Sequence, residues 1–365
     1  MRSIGLMSGT SLDGVDAVLA DFSNRGSPTL LAHDYRPFPS ELRQQLMQLQ
    51  SPADDELHRA ALAANGLVAI YHQAVQALLQ QANCQASDID CIAAHGQTVR
   101  HRPELGYTWQ INNPALLAEL SAIDVIADFR SRDLAAGGQG APLTPAFHQA
   151  VFAHPQRPRM VVNLGGIANI TLLIPGQPVL GYDIGPANLL LDAWIQQHLG
   201  QAYDKNGAWA AMGEVNDYLL QRLLQEPFFA LPAPKSTGRD WFHWDWLQQR
   251  LQGFESTAPE DVQRTLVELT ARLIARETLA ALEAVEEVIL CGGGAYNQCL
   301  HEALHTCLPG SARLMTSADC GIAPEHVEAL AFAWLGWCYR QKQAGNLPEV
   351  TGAHGLRLLG ACYPA

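Results

Sequence analysis

The chain has little positive charge. Lys and Arg together number 23 against 36 Asp and Glu, so the formal net charge of the 365 residues is -13. Nonspecific binding of nucleic acid depends on Lys and Arg side chains that neutralise phosphates. We therefore expect no nucleic-acid partner, and an anionic substrate would have to be held by a few local cations.

Close cysteine pairs are missing as well. The eight cysteines include no Cys-x-x-Cys pair, and several stand inside apolar segments. Zinc sites and disulfide frameworks need cysteines at short, regular spacings. The sequence therefore predicts reduced, buried thiols and no metal site built from them.

No secretion signal or membrane span is expected. The N-terminal Met-Arg-Ser-Ile-Gly reaches glycine before an apolar signal core can form. We also expect no uncharged run that approaches the roughly 18 residues needed for a spanning helix. Both expectations predict a cytoplasmic protein without a membrane partner.

The common phosphate-binding motifs are absent. Neither Gly-x-x-x-x-Gly-Lys-Ser/Thr nor Gly-x-Gly-x-x-Gly occurs in the chain, so neither a P-loop nor a dinucleotide-binding fold is indicated. A phosphate site would have to be built from other glycine-rich turns.

Two such turns are present, one in each half of the chain. Residues 3–22 place β-prone stretches on either side of a polar turn from Ser8 to Gly14, and residues 161–173 do the same around Gly165-Gly166. Both patterns predict a β-hairpin. Small residues in these turns would let backbone N–H groups form a nest around an anion.

These turns suggest a nucleotide site with three parts. Asp13 and Asp16 lie near enough to the first turn to hold magnesium-bound water. A third glycine cluster, at 292–294, follows a predicted strand and could lie against adenosine. Ordinary tight turns are the alternative interpretation of each hairpin, because glycine-rich turns are common.

Helices and strands alternate along the rest of the chain. An apolar run at 89–94 predicts a short buried strand, and helices that follow strands indicate an α/β layer structure. The predicted helices are 54–83, 188–199 closed by Gly200, 259–284 and about 324–342, and further strands are predicted to end at Asp183 and Cys291.

The length and the 48% hydrophobic content suit two globular halves. The strongest cluster of helix breakers, from Gly137 to Pro142, marks the expected hinge. We therefore assign residues 1–132, together with about 347–365, to an N-terminal lobe and residues 133–346 to a C-terminal lobe.

Asp183 is the main candidate for a general base. Ligands of α/β sheets bind at the carboxyl ends of strands, where Asp183 is predicted to lie, and its alternative role is to cap the following helix. Lys235 and Arg239 stand on a polar loop that could cover an anion or could be a solvated connection.

Other polar residues have two interpretations each. Arg130 and Arg132 could bind substrate or could pair with Asp128 and Asp133. His95 follows the predicted strand at 89–94, and a lone histidine is more often a hydrogen-bonded structural group than a catalyst.

A series of ordered motifs runs along most of the chain. They are Gly-Leu-Met-Ser-Gly-Thr-Ser-Leu-Asp-Gly-Val-Asp at 5–16, His-Gly-Gln-Thr-Val at 95–99, Ala-Asp-Phe-Arg-Ser-Arg-Asp at 127–133, Ala-Ala-Gly-Gly-Gln-Gly-Ala-Pro-Leu at 135–143, Asn-Leu-Gly-Gly-Ile-Ala-Asn at 163–169, Asp-Ile-Gly-Pro-Ala-Asn at 183–188, Pro-Lys-Ser-Thr-Gly-Arg at 234–239, Cys-Gly-Gly-Gly-Ala-Tyr-Asn at 291–297 and Val-Glu-Ala-Leu-Ala-Phe-Ala-Trp-Leu at 327–335. Together these motifs resemble the anhydro-N-acetylmuramic acid kinases.

The resemblance implies an α/β fold of the actin-like ATPase type, with two ribonuclease H-like domains related by duplication and ATP in a central cleft. It implies that Asp183 is the catalytic base. With the turns described above, it assigns to ATP the residues Gly9, Thr10, Ser11, Leu12, Asp13, Gly14, Val15, Asp16, Asn163, Gly165, Gly166, Gly292, Gly293, Gly294 and Asn297. The residues assigned to the sugar are His95, Gln97, Thr98, Arg130, Gly138 and Glu328.

The resemblance also implies the reaction. Family members open the 1,6-anhydro ring of anhydro-N-acetylmuramic acid with water and phosphorylate O6, using ATP and Mg²⁺, and they yield N-acetylmuramic acid 6-phosphate and ADP in murein recycling. A homodimer is implied as well. The alternative functions are an ATP-driven conformational switch and a phosphohydrolase on the same fold.

Overall fold

The computed structural model describes residues 1–9, 11–24, 27–238, 241–281 and 285–365. Within these ranges the chain forms mixed α/β sheets covered by helices. The strands are β1 (Arg2–Met7), β2 (Gly14–Asn24), β3 (Ser27–Pro37), β4 (Cys91–Ala94), β5 (Gln97–Arg102), β6 (Tyr107–Ile111), β7 (Val125–Ala127), β8 (Arg159–Leu164), β9 (Ile167–Leu173), β10 (Leu180–Pro186), β11 (Glu287–Cys291), β12 (Arg313–Thr316) and β13 (Ala361–Tyr363).

The α-helices range from a single turn to more than six turns. They are α1 (Ser40–Gln48), α2 (Glu56–Gln81), α3 (Pro114–Ser121), α4 (Ser131–Ala135), α5 (Thr144–Phe152), α6 (Asn188–Leu199), α7 (Asp217–Leu224), α8 (Trp244–Arg250), α9 (Pro259–Ala280), α10 (Gln298–Cys307), α11 (Val327–Arg340) and α12 (Pro348–Thr351). The predicted helix at 259–284 corresponds to α9, which ends at Ala280, while residues 282–284 lie outside the described residues.

The two large sheets repeat one topology. The first has the order β13-β7-β4-β1-β2-β3 and the second the order β10-β9-β8-β11-β12. In each, an antiparallel hairpin (β1–β2 or β8–β9) is followed by two parallel neighbours, β4 and β7 or β11 and β12. Both hairpins were predicted, and both are confirmed by this pairing.

The chain divides into two compact units. The first contains Met1–Val151 and His326–Ala365, and the second contains Phe152–Glu325. The breaker cluster from Gly137 to Pro142 therefore lies inside the first unit, not at its boundary. Two hydrogen bonds attach this segment to the C-terminal part of the first unit, because Gln139 N donates to Thr351 O at 2.8 Å and His354 N donates to Ala136 O at 2.8 Å.

The first sheet is covered on both faces. Ile4 and Leu6 pack in the same cluster as the buried side of α2. Gly5 points the other way, where a Cβ would collide with the backbone of Ala329 in α11. Because side chains alternate across a strand, α2 and α11 lie on opposite faces, and the glycine allows α11 a close approach to β1.

One sequence expectation about membrane segments is wrong. Residues 60–87 contain no Asp, Glu, Lys or Arg, and α2, which includes most of them, is long and apolar enough by length and composition to cross a membrane. Half of its most apolar window is buried within the protein. Since Leu67, Val68 and Tyr71 are completely buried in the first core, α2 is best explained as a core helix.

The second unit has its own apolar core. Its cluster draws on β8, β10, α6, α9 and β11, and all of its members lie between Met160 and Leu308. At its edge, the buried carboxylate of Glu287 accepts hydrogen bonds from Arg157 and Arg159 at 2.5 and 2.7 Å. All eight cysteines of the chain are free thiols, of which four are buried.

Candidate active site

The first predicted phosphate turn follows β1. Ser8 and Gly9 leave the strand, and Leu12 N donates to Gly9 O at 3.4 Å. Leu12 has a φ of 57° and its side chain is 2% exposed, a conformation that costs free energy in a residue other than glycine. Its burial in the core anchors the turn, while Thr10 lies outside the described residues.

The remainder of the predicted loop belongs to β2 or its start. Val15 is completely buried, so only its backbone could contact a ligand. Asp13 is exposed and accepts a hydrogen bond from Ser11 Oγ at 2.6 Å. Asp16 lies 3.7 Å from His33 Nε2.

Tyr35 lies near both carboxylates and is the register partner of Asp16. Burial raises the pKa of its hydroxyl to about 12, and the negative charges of Asp13 and Asp16 add to the rise. Gly14 makes this arrangement possible, because a Cβ there would lie 2.8 Å from the Tyr35 hydroxyl. A pair of carboxylates therefore stands beside the first turn.

The segment after β4 binds this turn. His95 N donates to Leu6 O at 3.0 Å, and Gln97 Nε2 donates to Gly9 O at 3.0 Å. Ser8 Oγ donates to Gly96 O at 3.0 Å. The predicted sugar residues at 95–97 thus lie against the predicted phosphate turn.

Arg130 contacts the segment after β4 through His95. Its Nε and Nη2 lie 3.1 and 3.0 Å from His95 Nε2, and its Nη1 donates to Gly140 O at 2.8 Å. Burial lowers the pKa of Arg130 to about 10, although the charges of Glu328 and Asp133 oppose the shift. Among the described residues no ion pair joins Arg130 to Asp128 or Asp133. The alternative that Arg130 forms a structural ion pair with one of them is therefore wrong.

The other predicted sugar residues lie in the first unit as well. Thr98 Oγ1 accepts a hydrogen bond from Gln110 Nε2 at 3.1 Å. Gly138 packs directly on the carboxylate of Asp133, where a Cβ would collide with Oδ2. Glu328 stands in the first turn of α11. Their contacts with a sugar stay predictions.

The second unit brings the other two glycine clusters together. Asn163 at the end of β8 is the register partner of Cys291 at the end of β11, so the turns at 165–166 and 292–294 begin side by side. Gly292 has a φ of 78°, and a Cβ there would lie 2.5 Å from Asn163 Oδ1. The start of α6 closes the group, because Asn188 N donates to Gly165 O at 3.0 Å.

Asn297 has a structural role that the sequence analysis did not assign. Its side chain caps α10 by accepting a hydrogen bond from Leu300 N at 3.0 Å. Asparagine is one of the preferred residues at that position. An additional contact with a nucleotide stays a prediction.

Asp183 does not end its strand, which corrects the sequence prediction. β10 continues to Pro186, and its pairing with β9 shifts register between Asp183 and Gly185. Gly185 has a φ of 151°, which glycine adopts at little cost. Asp183 therefore lies at a bulge of an edge strand, a feature common near active sites.

The Asp183 carboxylate is held by the segment Lys235 to Thr237. Oδ2 accepts hydrogen bonds from Thr237 N at 2.9 Å and Ser236 Oγ at 3.1 Å, and Asp183 N donates to Lys235 O at 3.0 Å. Burial raises the pKa of Asp183 to about 6, and the two hydrogen bonds to Oδ2 oppose the rise. The carboxyl group thus titrates close to neutral pH, as a general base requires, and it does not cap α6.

The sequence left open whether the loop with Lys235 covers an anion or is a solvated connection. Its Nζ lies 3.1 Å from Phe229 O and 5.1 Å from the centre of the Phe228 ring. Lys235 therefore anchors the segment that holds Asp183. Sequence reasoning missed Ser236 and Thr237, although both stand in the motif at 234–239; Arg239 lies outside the described residues.

The fold is an α/β fold of the actin-like type, in which two units of repeated topology each carry a glycine-bearing hairpin. A solved structure with this fold is component A of (R)-2-hydroxyglutaryl-CoA dehydratase from Acidaminococcus fermentans, with a TM-score of 0.50 at 12% identity over 92% of this chain and 96% of that chain. At that identity the similarity concerns the fold alone.

The chain belongs to the anhydro-N-acetylmuramic acid kinase family, whose profile matches residues 1–365. It is 56% identical to the anhydro-N-acetylmuramic acid kinase of Bordetella petrii over 365 residues, which covers 99% of this chain and 96% of the relative. It is 54% identical to that of Variovorax paradoxus over 371 residues, covering 99% and 98%. The protein is thus a kinase that uses ATP and acts on a small sugar, as the motifs predicted.

Proposed function

We propose that the protein opens the 1,6-anhydro ring of anhydro-N-acetylmuramic acid with water and phosphorylates O6 with ATP, yielding N-acetylmuramic acid 6-phosphate and ADP. The observation that carries this proposal is the Asp183 carboxylate, which stands at a strand bulge with its pKa raised to about 6. The relatives' shared name supports the choice of sugar.

In the proposed reaction Asp183 orients a water molecule and takes its proton as the water oxygen bonds to C1. The C1–O6 bond breaks, its electron pair stays on O6, and O6 bonds to the γ-phosphorus of ATP while ADP leaves. Ser236 and Thr237 hold Oδ2 during this step. Their hydrogen bonds fix the direction from which the base meets the water.

A single carboxylate is enough for this chemistry. Hydrolysis of a glycosidic bond normally needs a second carboxyl group that protonates the leaving oxygen. Here O6 is the leaving oxygen, and its bond to the γ-phosphoryl group replaces the proton. Phosphoryl transfer itself requires alignment and neutralisation of charge, which the backbone N–H groups of the glycine turns are suited to supply.

Mg²⁺ would be held beside the first turn, by Asp13 and Asp16. The fit rests on the strand pairing, in which Asp16 is the register partner of Tyr35, and on Asp13, which directly precedes Gly14 at the start of the same strand. Proteins usually bind Mg²⁺ by one or two carboxylates together with water and substrate phosphates. When bound, Mg²⁺ would neutralise charge on the phosphates of ATP.

The proposal is tested by ADP release in a coupled assay with anhydro-N-acetylmuramic acid, with glucose and without sugar. We expect turnover only with the anhydro sugar. Equal ADP release in all three reactions would favour a conformational switch or phosphohydrolase. In ¹⁸O-labelled water the label should appear at C1 of the phosphorylated product, and unlabelled product would rule out attack by water.

The role of Asp183 is tested by Asp183→Asn. This variant should lose about 10³-fold or more in kcat while it keeps binding of ATP and sugar, because only the base is removed. Asp245→Asn, at an exposed position of the same unit, is the matched control and should keep normal kcat. Near-normal turnover of Asp183→Asn would exclude Asp183 from the mechanism.

We further propose that the protein works in the cytoplasm as a homodimer and serves murein recycling. The exposed edge strand β3 carries Leu30 and Leu31, each 39% exposed, and is one place where a second copy could add. Light scattering across a concentration series should give twice the mass of the chain, and a monomer at all concentrations would reject the dimer.

A further inference from the structure

His95 has no polar atom left for a ligand. Its side chain is 5% exposed, its Nδ1 lies 3.3 Å from Ser8 O, and its Nε2 meets the guanidinium of Arg130 at 3.0 to 3.1 Å. A neutral imidazole has one donor and one acceptor nitrogen. The His95 ring donates from Nδ1 to Ser8 O and accepts at Nε2 from Arg130. Both of its nitrogens are therefore hydrogen-bonded within the protein.

The surroundings of the ring support the neutral form. Burial, and then the positive charge of Arg130, hold the pKa of His95 well below its usual range. The ring of Phe332 packs on it, with 4.7 Å between the centroids. A protonated ring would present a second donor to a guanidinium that can only donate, so the hydrogen bond to Arg130 requires a neutral His95.

Arg130 is oriented from two sides. His95 accepts from Nε and Nη2, and Gly140 O accepts from Nη1 at 2.8 Å. The remaining N–H groups of the guanidinium have no acceptor among the described residues. A half-buried guanidinium with free N–H groups is suited to bind an oxygen acceptor, and most strongly a carboxylate or a phosphate.

The other side of His95 belongs to the first phosphate turn. Ser8 O accepts from its Nδ1, while Gln97 Nε2 donates to the next carbonyl, Gly9 O. Tyr71 is buried beneath this contact, and its hydroxyl accepts a hydrogen bond from Gly96 N at 3.1 Å. His95 therefore helps to position the turn and also orients Arg130.

We infer that His95 is a positioning residue, which acts on the sugar through Arg130 and does not contact the sugar itself. The inference rests on the proposed function, in which Arg130 binds an oxygen acceptor of the substrate. It replaces the prediction that His95 is a sugar-binding residue with a more specific role. The residue ties the orientation of the sugar-binding guanidinium to the turn that begins at Ser8.

A double-mutant cycle tests this role. His95→Leu and Arg130→Met should each lower kcat/KM for the anhydro sugar by about 10- to 100-fold, as misplacement of a substrate-binding group does. The double variant should be no worse than Arg130→Met alone, because residues that act as one unit are not additive. Multiplicative losses would show that His95 contacts the substrate independently and would overturn the inference.

A conservative variant and two substrates refine the cycle. His95→Gln keeps an acceptor near the position of Nε2. Its KM for the sugar should therefore be much closer to that of the unchanged protein than the KM of His95→Leu. If Arg130 binds the carboxylate of the sugar acid, Arg130→Met should raise KM for the anhydro sugar and leave KM for ATP nearly unchanged. A raised KM for ATP alone would assign the guanidinium to a phosphate. Thermal denaturation of each variant checks that it is folded.

A measurement without turnover separates this inference from the proposed function. In ¹⁵N-labelled protein the His95 ring, assigned by its loss in His95→Gln, should show the neutral Nδ1–H form throughout pH 5.5 to 8. Arg130→Met should shift that signal, whereas His305→Gln, at an exposed position on α10, should not. A ring that becomes protonated in this range, or that ignores Arg130→Met, would overturn the positioning role. If these signals are as expected but the anhydro sugar is not turned over, only the proposed function fails.

Discussion

At the scale of single residues, the Asp183 carboxylate is subject to opposing influences. Burial favours its protonated form and raises its pKa to about 6, while Thr237 N and Ser236 Oγ favour the carboxylate. Removing either donor should therefore raise the pKa further. The pH dependence of turnover should therefore measure the pKa of Asp183.

We predict that kcat/KM rises with pH through about 6 and then levels off, because Asp183 acts as a base only when it is deprotonated. Ser236→Ala should move this acid limb to higher pH, since it removes a hydrogen bond that stabilises the carboxylate. The measurement is kcat/KM from pH 4.5 to 8. Ser311→Ala, at an exposed position of the same unit, should leave the limb in place, and an unchanged limb in Ser236→Ala would contradict the prediction.

Gly138 provides the space for a buried carboxylate. Asp133 is completely buried and accepts hydrogen bonds from Gly140 N, Asn346 Nδ2 and Thr351 Oγ1, each at 2.8 Å. Since a Cβ at Gly138 would collide with Oδ2 of Asp133, the glycine is needed for packing whether or not it also contacts a sugar.

Gly138→Ala should lower the free energy of unfolding by about 1–3 kcal/mol, as overpacking of a tight interior does. Gly310→Ala, where no atom of the described residues lies within 4 Å of the new Cβ, should change it by less than about 0.5 kcal/mol. Urea denaturation followed by circular dichroism measures both. Equal stability of the two variants would show that the 137–140 segment can move away from Asp133.

At the scale of elements, two of the three glycines in the hairpin β1–β2 differ in why the position holds a glycine. Gly5 lies inside β1, where a Cβ would collide with the backbone of α11. Gly9 lies in the turn, where the nearest atom to a Cβ is Ser11 Oγ at 3.6 Å, an ordinary contact distance. Helix packing requires the glycine at position 5, whereas the described residues leave room for a side chain at position 9.

We predict that Gly5→Ala destabilises the protein by about 3 kcal/mol or more, because neither backbone can move aside cheaply. Gly9→Ala should keep normal stability and raise KM for ATP, because the methyl group would stand where phosphate approaches the turn. Thermal denaturation and initial-rate kinetics distinguish the two effects. An unchanged KM for ATP in Gly9→Ala would remove the turn from the phosphate site.

At the scale of the whole molecule, the two units differ in how their chain segments are arranged. The second unit is one continuous segment with a core of its own. The first needs both ends of the chain, because α11 packs on β1 and β13 pairs with β7. The two units should therefore respond differently when the chain is cut.

The fragment 152–325 should fold by itself and unfold cooperatively in urea, since its core draws on no described residue outside the fragment. The fragment 1–151 should not, because it lacks α11 and leaves one face of its sheet uncovered. Circular dichroism and urea titration of the two purified fragments provide the comparison. Cooperative unfolding of 1–151 would show that α11 is dispensable for the first core.

Much of the architecture was predictable because it depends on local patterns. The two hairpins, the α2 and α6 helices and the Gly200 cap follow from β-prone stretches, helical periodicity and the freedom of glycine. The lobe boundaries could not be derived in this way. The hydrogen bonds that tie Ala136 and Gln139 to the C-terminal segment join residues more than 200 positions apart, and no local pattern encodes them.

The sequence by itself determined the family, the repeated glycine hairpins and the residue types of the site, because motifs and short-range periodicity are properties of neighbouring residues. Only the tertiary structure decided what each polar residue does. In the structure Asp183 lies at a bulge and accepts hydrogen bonds from Ser236 and Thr237. Lys235 donates to a backbone carbonyl, and both ring nitrogens of His95 are hydrogen-bonded within the protein. Burial and hydrogen-bond partners are set by contacts between distant segments, and it is these contacts that fix a pKa or the direction of a side chain.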